Sequence, residues 1–150
     1  MRIERITGLV DETPLLADLQ EVHRSYVARC ADEITFAAGH YLARAGDPAD
    51  RFFILLQGSV LLETAAPEHG SVAVETLGRH EIVGWSWLFP PYHWHLDVRA
   101  LEDVHALAVD GATLRVWMDK DPYFGVALLR RFAGVMLRRL QSARGRIAAG

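Results

Sequence analysis

Apolar positions change their rhythm twice along the chain. Behind Thr13 and Pro14, which read as an N-cap and a first-turn proline, Leu15, Leu16, Leu19, Val22 and Tyr26 recur at helical spacing, so an N-terminal helix is expected over 13–30. From Glu33 to about Asp110 the texture becomes apolar runs of strand length, punctuated by Gly39, Gly46, Gly58, Gly70, Gly78 and Gly84. The runs are Phe52 to Leu56, Ser59 to Glu63, Val72 to Leu77 and Val98 to Val109, the last split near Glu102 and Asp103. This is the pattern of a roll or barrel of antiparallel strands. Helical spacing returns after Asp121 and Pro122 and continues to about Arg144, predicting one long C-terminal helix over 122–144.

At 100° per residue, Phe124, Leu128, Leu129, Phe132, Val135, Met136 and Leu140 spread over an arc of roughly 160°, wider than one neighbour needs. A homodimer is therefore expected, with Leu128, Leu129, Phe132, Met136 and Leu140 at the contact between two-fold related helices. Hydrophobic residues make up 51% and charged residues 23% of the chain, which excludes a disordered polar segment. No apolar run approaches the roughly 18 residues of a membrane span. One domain is expected across 1–150. The start of the chain, Met1 to Arg5, shows no secretory pattern, and the single cysteine, Cys30, leaves no internal disulfide, so a cytoplasmic protein is expected. A net charge of −3 provides no global field for nucleic acid, so direct DNA binding is not expected, although the C-terminal helix is locally basic.

The order of landmarks resembles a known family. Gly39 to Leu42, Gly46 to Asp50, Phe52 to Val60, Leu77 and Gly78, Val83 and Gly84, and Val98 to Ala100 are together similar to a cyclic nucleotide-binding domain of the Crp/Fnr type. The resemblance implies a mainly β fold with flanking helices: an antiparallel β-roll, jelly-roll-like, over 33–110, between an N-terminal helix and a long C-terminal helix. It also implies a regulatory sensor without enzymatic activity, and no metal or cofactor. Transcription factors of that family continue beyond the long helix into a helix-turn-helix region, for which a chain ending at Gly150 leaves no room. Output through protein contacts is expected instead.

The family's ligand loop carries a glycine followed by a glutamate for the ribose and, about ten residues on, an arginine for the cyclic phosphate. On the matching positions Gly84 is followed by Trp85, and the arginine position falls at Trp94. Tryptophan supplies neither charge nor paired donors. Cyclic AMP and cyclic GMP are therefore not the expected ligands. Three of the four tryptophans fall in this loop, and Gly84, Trp85, Ser86, Trp87, Tyr92, His93, Trp94 and His95 are the candidate residues for a different small molecule, apolar or planar. Other readings are a protein-interaction adaptor whose pocket Trp85 and Trp94 fill, a residual cyclic-nucleotide binder and, most distantly, a metal-dependent cupin-like enzyme. His93 and His95 alternate on an extended segment, but a glutamate at cupin spacing is missing, and metal sites need three or four ligands. Ser86 lacks the elbow of a hydrolase nucleophile.

Overall fold

The computed structural model of the protein describes residues 2–68 and 70–149, with side chains as far as 146. Among the described residues the strands are β1 (Ala31–Phe36), β2 (Tyr41–Ala43), β3 (Arg51–Gln57), β4 (Val60–Ala66), β5 (Gly70–Leu77), β6 (Ile82–Val83), β7 (Asp97–Ala100) and β8 (Val104–Asp110). They form two antiparallel sheets, ordered β1-β8-β3-β6 and β2-β7-β4-β5. This is the mainly β roll with flanking helices that the sequence resemblance implied.

The unbroken run Phe52-Phe53-Ile54-Leu55 is explained by its place in the middle of three layers. Side chains alternate along a strand. Phe52 and Ile54 face the helices, while Phe53 and Leu55 face the second sheet, and all four are fully buried. β8 alternates in the same register: Val109 and Leu107 lie beside Phe52 and Ile54, and Ala108 and Ala106 beside Phe53 and Leu55. Two apolar cores result, one on each side of the first sheet. At the turn between β3 and β4, Gly58 has φ +89°, and a Cβ there would come within 2.4 Å of the Asp103 carbonyl oxygen. Only glycine meets both conditions.

The helices depart from expectation at three points. The predicted helix over 13–30 is instead α1 (Arg2–Asp11), a series of turns, and α2 (Glu21–Arg29). The Thr13 side chain donates back to the Leu9 carbonyl, closing α1 rather than capping a new helix. Leu16 N then donates to Thr13 O and Leu19 N to Leu16 O, so the turns keep a three-residue rhythm that buries Leu16 and Leu19 as a helix would. Apolar spacing alone cannot separate the two. Second, an unforeseen helix α3 (Gly111–Lys120) follows β8, capped by Asp110, which accepts from the backbone N–H and the hydroxyl of Thr113.

Third, α4 (Pro122–Ala149) starts where expected but divides its apolar arc. Leu128 and Phe132 are fully buried in this chain's own core, Phe132 standing edge-on to Phe52, so neither is open to a second copy. Met136 is half-buried against the same core. Leu129 and Leu140, at 43% and 54% exposure, join Val126 and Leu137 on a separate outward face. No helix among the described residues is long and apolar enough to cross a membrane.

Candidate ligand cleft

A narrow cleft of about 110 Å³ opens where the loop between β6 and β7 meets the second sheet and α4. Leu62 of β4 and Val98 of β7 form its apolar floor, Gly84, Trp85, Ser86, Trp94 and His95 come from the loop, and Arg139 reaches in from α4. Gly84 begins the loop in the left-handed region, φ +98°, with the Trp94 ring directly over it: a Cβ at residue 84 would lie 2.4 Å from the indole edge. Trp94 is only 7% exposed and belongs to the core between the sheets. Its backbone is clamped to the turn after β2, Trp94 N donating to Asp47 O at 2.9 Å and Gly46 N donating to Trp94 O at 2.8 Å. The Gly46-Asp47 landmark thus positions the indole.

Trp85 is half-buried at the opposite side, with the Arg139 guanidinium 5.0 Å from its ring centre, within cation–π range. Arg139 also donates to the Ile82 carbonyl. Burial lowers its pKa from the usual arginine value, an effect that Glu75 and Glu81 oppose and Arg138 reinforces. Ser86 opens a single 3₁₀ turn, Ser86–Leu88.

Three of the expected ligand residues stand elsewhere. Trp87 is fully buried, stacked on Phe52 with ring centres 5.0 Å apart, and belongs to the core beneath the helices. It thus lies in the core on the other side of the first sheet from Trp94, while Trp85 packs against the edge of the same core as Trp87. Tyr92, at φ +58°, lies under the Arg115 guanidinium, 4.1 Å from the ring centre, and His93 is exposed beside Pro48. Only His95 of the two histidines borders the cleft. No group of three or more His, Cys, Asp or Glu able to hold a metal occurs among the described residues.

Nearby polar groups are engaged with one another. Arg99 donates to Glu63 at 2.8 Å, and Asp97 accepts from Ala45 N at 2.8 Å instead of orienting a histidine. Cys30, at the far side, has its thiol pushed up to about 11 by burial and by Asp110, which leaves it unreactive at neutral pH. The cleft offers aromatic walls, a hydroxyl, an imidazole and a guanidinium, but no carboxylate. Such a set presents apolar surface together with a few hydrogen-bonding groups.

Residues 33–121, more than half of the chain, match the family model described as the cyclic nucleotide-binding domain. The chain belongs to the cyclic nucleotide-binding domain family. Within that family it is similar to the CRP-like cAMP-activated global transcriptional regulator of Mycobacterium tuberculosis, with 27% identity over 115 residues, 77% of this chain and 50% of that protein. The chain thus spans about half the length of that curated relative. Among solved structures, the N-terminal domain of a transcriptional regulator from Streptomyces coelicolor A3(2) is 29% identical, with a TM-score of 0.69, covering 93% of this chain and 94% of that one. A cyclic nucleotide-binding domain from Methylobacillus flagellatus KT shares the fold at a TM-score of 0.81 and 19% identity, covering 98% of this chain and 83% of that one.

Leu62, Leu96 and Arg139 line the cleft without having been singled out in the sequence, and Val98 had been noted as a landmark of the strand but not as a site residue. Arg139 carried a signal. It follows Leu128, Phe132 and Val135 at spacings of four, three and four, which places a cation on the buried stripe of α4 rather than on its solvated side.

Proposed function

We propose that this member of the family is a non-enzymatic regulatory module whose ligand cleft does not accept cyclic AMP or cyclic GMP. The observation that carries the reading is the Trp94 indole lying over Gly84. The remaining volume, about 110 Å³, is well below the roughly 300 Å³ at the small end of ligand sites. Trp85 and Trp94 stand where the resemblance calls for glutamate and arginine, and the nearby Arg99 is committed to Glu63. The relative in M. tuberculosis is named as cAMP-activated, and its regulatory role carries over more readily than its ligand. What fits here is a small, mainly apolar molecule bordered by Trp85, Ser86, His95 and Arg139.

Isothermal titration with cyclic AMP and cyclic GMP tests the reading: no saturable heat is expected below millimolar nucleotide. A micromolar dissociation constant for either would overturn it. A second reading, an adaptor with a filled cleft acting through protein contacts, is favoured by the burial of Trp94. Native mass spectrometry of protein taken from cell extract separates the two, since only the first retains a small molecule.

A further inference from the structure

A second and larger cleft, about 670 Å³, lies between α4 and the turn that leads into β6. Its basic side chains come from two elements. Arg130, Arg131, Arg138 and Arg139 project from α4, and Arg79 and His80 face them from the turn. Gly134 leaves the middle of the helical wall without a side chain, the nearest atom to a Cβ built there being an Arg138 nitrogen at 3.6 Å.

The anionic groups in the cleft are fewer and partly engaged. Asp18 is held by Arg131 at 2.7 Å, and Glu81 accepts from Gly78 N at 2.6 Å, which leaves Glu75 as the third. Arg79, Arg130 and Arg138 are exposed and make no hydrogen bond or ion pair among the described residues. His80 is held at φ +70°, uncommon for a residue with a side chain, and its buried Nδ1 has no partner. A basic face meant only for solvation would spread its guanidiniums around the helix. Here α4 and a turn from another element gather theirs across one concavity, where like charges repel and the side chains of Arg79, Arg130 and Arg138 form no ion pair that would offset the repulsion.

We propose that this cleft binds a compact multivalent phosphate anion, of the size of a diphosphate group, at a site separate from the cleft beside Gly84. Planar guanidinium forks match phosphate oxygens in paired hydrogen bonds, and the anion neutralises charge that the chain leaves uncompensated. Arg139 lines both clefts and lies over Trp85, so an anion on one side bears directly on a wall of the other.

Titration calorimetry of the 150-residue chain with inorganic pyrophosphate, and separately with ADP, tests this at low and at moderate salt. Saturable binding that weakens with salt is expected. The double variant R130E/R138E changes exposed, unpaired side chains, so it should melt as the wild type does while losing tenfold or more in affinity, as expected for two charge-assisted contacts. R79Q, on the opposing turn, should lose affinity too, and serves if the double variant is unstable. Equal affinity for the two anions means that phosphate alone is recognised, and tighter ADP means that a nucleoside adds contacts. No saturable heat from either anion at millimolar concentration, or unchanged binding in the variants, would overturn the proposal. Its failure would leave the reading of the Gly84 cleft untouched, because that rests on the cyclic-nucleotide titration.

Discussion

At the scale of single residues, the loop's aromatic residues have divided their work. Trp94 and Trp87 are built into different cores, on opposite sides of the first sheet, while Trp85 remains half-open under Arg139. Trp94→Ala should therefore cost about 3–5 kcal/mol, the usual penalty for emptying a large buried aromatic site. Trp85→Ala should cost clearly less, because part of that ring is already in contact with solvent. Chemical denaturation of the two variants checks the order, and equal losses would show that Trp85 is filler as well. The sequence made Gly84, Trp85 and Trp94 visible through the landmarks around them. Trp87 could not be sorted from its neighbours because three tryptophans two to nine positions apart carry no periodicity until the 3₁₀ turn that orients them is known.

At the scale of elements, the strands were readable because β3 and β8 are buried on both faces and so appear as continuous apolar runs. The helices were less so. The segment 13–19 imitates helical spacing with turns, α1 was not anticipated, and α3 announced itself only by the Asp110–Thr113 cap. Pairing within the second sheet also yields a pH dependence. Glu63 on β4 and Arg99 on β7 are diagonal neighbours, and Glu63 is buried. The hydrogen bond from Arg99, followed by that from Ser71, lowers the Glu63 pKa below its ordinary 4.5. The folded value is thus below the unfolded one, so the stabilisation is complete above about pH 4.5 and disappears as the pH falls through the lower, folded value. Glu63→Gln should melt at a lower temperature than wild type at pH 7, and the difference should shrink as the solution is taken below about pH 4. Thermal scans across that range check this, and a difference that does not change with pH would show that the pair is merely solvated.

At the scale of the whole molecule, α4 turns a row of apolar residues outward. Val126, Leu129, Leu137 and Leu140 are exposed at spacings that return to one side of the helix, with the core residues Leu128 and Phe132 on the other. We propose that two copies pair through this exposed face, which shifts the expected contact away from the buried residues and onto Leu129, Leu137 and Leu140. Light scattering should report a dimer for wild type, and a monomer with an essentially unchanged fold for Leu129→Glu combined with Leu140→Glu. Phe132→Glu, by contrast, should unfold the chain, since it places a carboxylate between Phe52 and Trp87. A wild-type monomer at high micromolar concentration would end this reading. The apolar arc is divided between this chain's own core and an exposed face, and only the path of the sheet beneath α4 shows which residues lie on each.

The contact between Trp94 and Gly84 also bears on which single changes the loop can accept. With any larger residue at position 84 the indole could not lie where it does, so a single substitution there has to move the Trp94 ring as well. Position 84 is under two independent restrictions, one from its backbone at φ +98° and one from the ring above it. The glycine is thus needed twice, for the shape of the turn and for the space it leaves empty, and relieving one restriction leaves the other in force.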